Sequence, residues 1–230
     1  MNQKAAAVWD RRAESWDAVC HSAAFLSFRD EVLARADLSP HDVLLDLGCG
    51  TGLIALGAYG RCQTVIALDH SREMLNSLRQ SGQSEQDGLR TVHADMRSIP
   101  LADCSVDAVV SCYAFHHLSD DGKELALAEA RRVLRPDGRL VIADMMFRLS
   151  LETRDRRILA GKIVAVLAKG PGGVLRLTKN AGRIIVGRWE KPATIDWWAA
   201  ALVRRGFDDI EVRPLRHEAG LAFARRPASR

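Results

Sequence analysis

The chain of 230 residues is 47% hydrophobic and 27% charged, which is the balance of an ordinary globular protein of one domain. This composition excludes an intrinsically disordered or collagen-like chain, and the apolar stretches are well short of the roughly 20 residues that a transmembrane helix needs. The first residues carry no apolar core of a secretory signal, so we expect a cytoplasmic protein.

Positive charge is concentrated in one part of the chain. Residues 1–147 contain 15 Lys/Arg and 21 Asp/Glu, whereas residues 148–191 contain 11 and 3. This basic block predicts a separate element that faces solvent, binds an anionic substrate or contacts a membrane surface. The five cysteines occur at no CxxC spacing, so we expect neither a zinc site nor a disulfide framework, and no metal.

The first 39 residues are predicted to be helical, because apolar residues recur at helical spacing. Trp9 and Trp16 share one helical face, where they either cover a pocket as a lid or pack on a sheet. The period then changes to short runs that are apolar on both faces, as in parallel strands covered by helices. These runs are residues 42–48, 64–69, 90–95, 106–115 and 139–147.

Helical stretches alternate with these strands, which predicts an α/β fold with a doubly wound, mostly parallel sheet. The helices are predicted at residues 52–60, 71–80 and 123–134, with Ser119 and Asp120 as candidate N-caps of the third and a turn at 136–138 after it.

The pattern breaks after residue 147. A helix is predicted at 151–169 and a turn at 170–173, whereas 174–187 is ambiguous. A final helix over 194–205 is capped by Thr194 and ends at Gly206. Two strands, 209–215 and 220–226, then form an antiparallel pair at one edge of the sheet.

A glycine turn follows the first strand, at the sheet end where α/β proteins of this kind bind ligands. Gly48, Gly50 and Gly52 allow a tight turn and close approach of a ligand to the backbone. A dinucleotide fingerprint requires a further glycine where Leu53 stands. Asp46 also disfavours a dinucleotide, since a carboxylate there repels pyrophosphate and attracts an ammonium group.

Acidic residues end the next two strands as well. Asp69, 21 residues after Gly48, is placed to accept hydrogen bonds from ribose hydroxyls, although it could equally cap the following helix. Asp95 could accept from an adenine amine while Met96 packs on the ring. An ammonium, a ribose and an adenine without phosphate are the parts of S-adenosylmethionine, which we therefore predict as the ligand.

These segments resemble the successive motifs of the class I S-adenosylmethionine-dependent methyltransferases. The resemblance is strong over about residues 40–147. Within the family, the chain resembles the small-molecule branch, which is similar to the ubiquinone and menaquinone C-methyltransferases. It rests on LLDLGCGTG (44–52), ALDHSREML (67–75), HADMRSIPL (93–101), VDAVVSCYAFHHL (106–118) and LRPDGRLVIAD (134–144). The basic block departs from the family in its length and charge, which makes the substrate hardest to infer there.

The resemblance implies a role for each motif. Asp46 would hold the methionine ammonium, with the turn from Gly48 through Cys49 and Gly50 to Gly52 beside it. Asp69 would hold the ribose. The remaining donor-binding positions implied by the family are His70, Met74, Asp95, Met96, Ser111 and Cys112.

The implied organisation is a single methyltransferase domain over residues 1–230. Its expected parts are an N-terminal helical lid (1–39), a donor-binding core (40–147), a basic helical cap over the acceptor side (148–192) and a final helix and strand pair (193–230).

Methyl transfer from a sulfonium needs alignment above all, and a general base only where the acceptor must lose a proton. His116 and His117 are the candidate bases, each with a structural role as the alternative. Tyr113, His116 and Trp16 are candidate substrate contacts.

The main hypothesis is a methyltransferase that acts on a small metabolite or natural product, at an O, N or C acceptor. One alternative is an RNA or DNA methyltransferase that uses the basic block, which is disfavoured because SCYAF stands where amino-methylating nucleic-acid enzymes carry an N/D-P-P-Y/F segment. Another is a nucleoside-binding module without turnover.

Overall fold

The computed structural model describes residues 9–10, 16, 19–81, 88–147, 191–216 and 218–228. The helix, turn and ambiguous segment predicted between 151 and 187 lie outside the described residues, as does most of the stretch before residue 19.

Helices and strands alternate through the described part of the chain as predicted. The helices are α1 (Ala23–Ala36), α2 (Leu53–Ala58), α3 (Arg72–Arg79), α4 (Asp120–Val133) and α5 (Ile195–Arg204). The strands are β1 (Val43–Leu47), β2 (Thr64–Asp69), β3 (Leu89–His93), β4 (Val106–Cys112), β5 (Leu134–Met145), β6 (Asp208–Pro214) and β7 (Ala219–Arg225).

The seven strands form one sheet in the order β3-β2-β1-β4-β5-β7-β6. The first five run parallel, and β7 and β6 are antiparallel to their neighbours, which confirms the predicted fold class. The order reverses between β1 and β4, where a crevice opens beyond the carboxyl ends of the strands.

Two apolar clusters cover the two faces of the sheet. Leu127 of α4 and Trp198 of α5 are buried on one face, and Val32, Ile54 and Leu75 of α1, α2 and α3 are buried on the other. Strands covered on both sides must be apolar on both sides, and this explains the predominantly hydrophobic sequences of β1, β2 and β4.

Two helices begin at N-cap residues that were predicted from the sequence. Ser119 caps α4 by accepting from the amide of Gly122, whereas Asp120 is the first residue of that helix. Thr194 caps α5, as predicted, by accepting from the amide of Trp197. These caps satisfy amides that a helix start otherwise leaves without a partner.

The largest differences from the predicted boundaries lie at the end of β4 and at the start of β5. β4 ends at Cys112 rather than at residue 115, because Tyr113 adopts a positive φ of 56° and a short 3₁₀ helix follows at Phe115–His117. The turn predicted at 136–138 lies inside β5. Val106 pairs with Leu134 and Ala108 with Arg139, so the intervening residues bulge out of the ladder.

Candidate functional site

A cleft opens where the strand order reverses, beyond the carboxyl ends of the strands. One side is the carboxylate half, formed by Asp46, the glycine turn, Asp69 and Asp95. The other side is the aromatic half, formed by Trp9, Trp16, Phe25, Tyr113 and His117.

Most of the residues predicted for the site line this cleft. They are Trp16, Asp46, Gly48, Cys49, Gly50, Asp69, His70, Met74, Asp95, Met96, Cys112, Tyr113 and His117. Gly52, Ser111 and His116 are not among the lining residues. Ser111 is fully buried and donates its hydroxyl to the carbonyl of Leu47, which joins β4 to β1 behind the cleft.

The glycine turn is held against β2 and leaves no room for side chains. The amides of Gly48 and Cys49 both donate to the carbonyl of Leu68, at 2.8 and 3.1 Å. Gly48 has a φ of 70°, and a Cβ there would lie 2.4 Å from the Cβ of Ala114. Gly48 is therefore required both by its backbone conformation and by the close approach of the chain after β4.

Asp46 is a buried acceptor with unused capacity. One carboxylate oxygen accepts from the amide of Ala55 at 3.1 Å, and the other is buried without a hydrogen-bond partner among the described residues. Burial, with a smaller contribution from the nearby Asp69 carboxylate, raises the pKa of Asp46 to about 8, although the Ala55 bond acts in the opposite direction. An acceptor left without a partner in a closed site is costly, and it fits a donor such as an ammonium group.

Asp69 organises the backbone around it. Its two oxygens accept from the amides of Gly50 at 2.9 Å and Ser71 at 2.8 Å, while burial raises its pKa. Ser71, not Asp69, caps α3 by accepting from the amide of Met74. Each carboxylate oxygen can accept a second bond, so Asp69 keeps capacity for the hydroxyls of a ligand.

Asp95 has a charged partner that the sequence analysis did not foresee. Arg97 binds it through Nε at 3.0 Å and Nη2 at 2.7 Å, and the Arg97 amide donates to the same carboxylate at 3.0 Å. The fork fixes the carboxylate at the end of β3, because a bidentate arginine allows little rotation. Met96, beside it, lies 3.1 Å from the position of a Cβ on Gly48.

The aromatic half is a continuous set of ring contacts. The centroids of Trp9 and Trp16 lie 5.6 Å apart, those of Trp16 and Phe25 5.6 Å, and those of Phe25 and Tyr113 4.9 Å. Trp9 also lies 4.7 Å from the ring of His117. Phe25 was not identified from the sequence as a site residue. Helical periodicity marks a position as apolar but cannot distinguish a residue that lines a cleft from one that packs in the core.

Described residues of the N-terminal stretch contact both halves. Trp9 lies on His117, whereas Asp10 accepts from the hydroxyl of Ser71 at 2.6 Å beside the carboxylate half. The indole Nε1 of Trp16 lies 3.2 Å from the position of a Cβ on Gly50. Both tryptophans therefore line the cleft, as the lid interpretation requires.

His116 and His117 occupy different environments although they are adjacent. His117 lines the cleft, whereas His116 is buried and its Nδ1 lies 2.5 Å from a carboxylate oxygen of Asp144. Asp144 was not identified from the sequence, because its proximity to His116 depends on the pairing of β4 with β5.

The thiols at the cleft are poor nucleophiles. Burial raises the pKa of Cys49 and of Cys112 well above the usual value, and neighbouring carboxylates add to both shifts. Both side chains therefore stay protonated near neutral pH. Within the part of the chain that the structure describes, no group of three or more His, Cys, Asp or Glu could hold a metal ion, and no helix is long and apolar enough to span a membrane.

The central part of the chain is similar in sequence to known methyltransferases. Residues 45–142 match the family described as a methyltransferase domain. An uncharacterized methyltransferase of Oceanobacillus iheyensis is 32% identical over 118 residues, which are 51% of this chain and 54% of that protein. The Escherichia coli protein YafE is 36% identical over 100 residues, 43% of this chain and 47% of that protein. These matches span about half the length of each relative.

Solved structures extend the likeness to the fold as a whole. The crystal structure of an S-adenosylmethionine-dependent methyltransferase from Aquifex aeolicus has a TM-score of 0.64 at 18% identity. It covers 94% of this chain and 97% of that one. The sheet and its flanking helices are therefore the Rossmann-like fold of methyltransferases.

Proposed function

We propose that this chain, in which residues 45–142 match a methyltransferase domain, transfers the methyl group of S-adenosylmethionine to a small molecule. The observation that carries the proposal is the Asp46 side chain, which lines the cleft and has one buried carboxylate oxygen without a hydrogen-bond partner among the described residues. The methionine ammonium of the donor supplies the hydrogen bond and the positive charge that this oxygen lacks. A pyrophosphate ligand would add negative charge to the same place.

The rest of the carboxylate half suits the remainder of the donor. Asp69 has free lone pairs for a ribose diol, and the fixed carboxylate of Asp95 with Met96 suits an adenine. His70 and Met74 complete the wall. When bound, S-adenosylmethionine supplies an already activated methyl group, so the protein has mainly to align the acceptor and exclude water. Alignment alone can correspond to effective molarities of about 10⁵–10⁸ M.

The aromatic half favours a flat, apolar acceptor. Apart from His117, its described lining is made of rings and of small apolar groups such as Ala114. Offset or edge-to-face contacts with such rings stabilise a planar ligand by about 0.5–1.5 kcal/mol each. His117 faces this space and is placed to accept a proton from a hydroxyl or amine of the acceptor.

An anionic acceptor, expected from the basic block, remains the second proposal. Of the block, only Lys191 belongs to the described residues, so its support is the charge count alone. Contact of the same block with a membrane surface is a proposal with the same support.

The test is transfer of a labelled methyl group. The full chain is incubated with methyl-labelled S-adenosylmethionine and a metabolite extract, and mass spectrometry identifies products that carry the label. We expect labelled aromatic or other apolar products, and none with Asp69→Ala. Asp208→Ala, which changes an exposed residue of the edge strand β6, is the matched control and should behave as the wild type.

Other outcomes separate the alternatives. Label in RNA or DNA, with steeply salt-dependent binding, would replace the small-molecule proposal by the nucleic-acid one. Tight donor binding without labelled product in any fraction would indicate a nucleoside-binding module.

A further inference from the structure

Behind the aromatic half lies a buried pair of side chains that the proposed function does not use. Asp144, at the end of β5, is 0% exposed, and His116, in the 3₁₀ helix after β4, is 4% exposed. The His116 Nδ1 lies 2.5 Å from Asp144 Oδ1, and the His116 amide donates to Asp144 Oδ2 at 3.1 Å. One carboxylate thus binds both the ring and the backbone of the same residue.

Further hydrogen bonds from the backbone hold His116 and Asp144 in place. The carbonyl of His116 accepts from the amide of Lys191 at 2.7 Å. Asp144 is itself held, since Oδ1 also accepts from the amide of Met145 at 2.6 Å. Because its ring does not line the cleft, His116 is poorly placed to take a proton from a ligand there.

The fixed ring of His116 is the surface on which His117 rests. The centroids of the two imidazoles lie 3.9 Å apart, with the planes tilted by 54°. On another side the ring of Trp9 lies 4.7 Å from His117. The side chain that faces the cleft is therefore confined between an indole and an imidazole that a buried carboxylate holds in place.

We propose that Asp144 and His116 are positioning residues for His117. Asp144 holds the ring of His116, and that ring sets the orientation in which His117 meets the acceptor. The inference rests on the proposed function, in which His117 is the catalytic residue that accepts the proton of the acceptor.

Stability alone gives little reason for such a pair. Burying a carboxylate with an imidazole costs desolvation that the interaction only about repays, and apolar side chains of similar volume often do as well. What an apolar pair cannot supply is a fixed ring orientation. A base that is misplaced by about 1 Å can lose about a hundredfold in rate.

Three substitutions separate positioning from a structural role. Asp144→Asn keeps the shape of the side chain and one acceptor oxygen but replaces the other oxygen by a donor, whereas Asp144→Leu removes both acceptors. His116→Phe keeps a ring but loses the bond to Asp144, and it serves if Asp144→Leu does not fold. We expect Asp144→Leu or His116→Phe to lower kcat by about tenfold or more without changing the affinity for S-adenosylhomocysteine. Asp144→Asn, which keeps one acceptor, should lower kcat less than Asp144→Leu does.

A double-mutant cycle with His117→Ala gives the sharper result. Residues that act through His117 have nothing further to lose once it is gone, so Asp144→Leu should not slow His117→Ala any further. Independent losses that multiply in the double variant would overturn the proposal.

A second measurement needs no turnover and keeps the inference separate from the proposed function. In chain labelled with ¹⁵N-histidine and saturated with S-adenosylhomocysteine, the ring signals of His117 are assigned by their loss in His117→Ala. They should move in Asp144→Leu and in His116→Phe, and they should move less in Asp144→Asn. Unmoved signals would refute positioning even in an active enzyme, whereas moved signals in a chain that transfers no methyl group would refute only the proposed function.

Discussion

The two halves of the cleft are built in different ways. In the carboxylate half, side chains at the ends of consecutive parallel strands bind backbone amides, so that Asp69 holds Gly50 and Ser71, and Asp46 holds Ala55. In the aromatic half, rings from the N-terminal stretch meet residues that follow β4, such as Tyr113 and His117. The first half depends on strand register and the second on packing between distant parts of the chain.

Because of this difference, the two halves should respond differently to substitution and suit different ligands. Backbone-anchored carboxylates leave a fixed set of acceptors, which suits one invariant ligand such as the methyl donor. Ring packing adapts to the shape of what it covers, which suits the acceptor. We therefore expect substitutions in the carboxylate half to have large effects on donor affinity, and those in the aromatic half to leave it unchanged.

The largest effect is expected from Asp69→Ala. The substitution removes the ribose acceptor and also releases the amide of Gly50 from the turn. Each hydrogen bond to a charged group contributes about 1.5–3 kcal/mol, so the affinity for S-adenosylhomocysteine should fall by about a hundredfold or more. Isothermal titration calorimetry measures it, with Asp208→Ala as the control. A loss smaller than about threefold would remove Asp69 from the donor site.

Gly48→Ala should have the next largest effect, and Gly60→Ala is its control. Both glycines have a positive φ, 70° and 76°, but a Cβ on Gly48 meets Ala114 whereas one on Gly60 meets nothing within 4 Å. The two share the backbone cost of about 1 kcal/mol, so the excess for Gly48→Ala measures the contact with the chain after β4.

We expect that excess to be about 1–3 kcal/mol in the free energy of unfolding, together with weaker donor binding. Equal unfolding free energies for the two variants would mean that the turn and the chain after β4 are not in close contact.

Asp46→Asn should change the pH dependence of donor binding. Because the pKa of Asp46 is about 8 in the free chain, the carboxyl must lose a proton to pair with an ammonium. Affinity for S-adenosylhomocysteine should therefore rise by up to about tenfold per pH unit toward pH 8 and then level off. Asp69, Cys49 and Cys112 also face Asp46, so the difference between wild type and Asp46→Asn isolates this carboxyl.

The free energy of unfolding should change with pH in the direction opposite to the donor affinity. A pKa raised by folding means that protonated Asp46 stabilises the folded chain, so the free energy of unfolding falls as the pH rises from about 4 through 8. Asp46→Asn should lack this part of the fall. An identical pH profile in the two proteins, for binding and for unfolding, would contradict the assignment of Asp46.

The smallest effect is expected from Phe25→Leu. The substitution removes the ring contacts with Trp16 and Tyr113 but keeps an apolar wall. We expect a rise of about twofold to tenfold in KM for an aromatic acceptor, equal to about 0.5–1.5 kcal/mol, with donor affinity unchanged. A change in donor affinity as large as that of Asp69→Ala would show that the two halves are not separable.

The same contrast explains how much could be predicted from the sequence. Asp46, Asp69 and Asp95 were identified because the ends of parallel strands meet at one edge of a sheet, a rule that needs only the strand positions. Arg97, which binds Asp95, was not identified, because the residues around it do not show that the loop folds the guanidinium back onto the carboxylate.

The contacts of the aromatic half needed the three-dimensional structure. Asp144 and His116 are 28 residues apart, and they meet because the register that pairs Cys112 with Ala143 places Asp144 of β5 beside the chain that follows β4. The positive φ of Tyr113 then turns the chain so that adjacent histidines face different ways. Neither the register nor the turn can be read from residue types.

Direct titration of the full chain with S-adenosylmethionine, and in parallel with NAD⁺, tests the central claim. The arrangement of Asp46, Asp69 and Asp95 predicts one bound donor molecule per chain, an affinity that Asp69→Ala lowers by about a hundredfold or more, and no heat with NAD⁺. Binding of NAD⁺ in this cleft, or no binding of S-adenosylmethionine to the wild type, would contradict it.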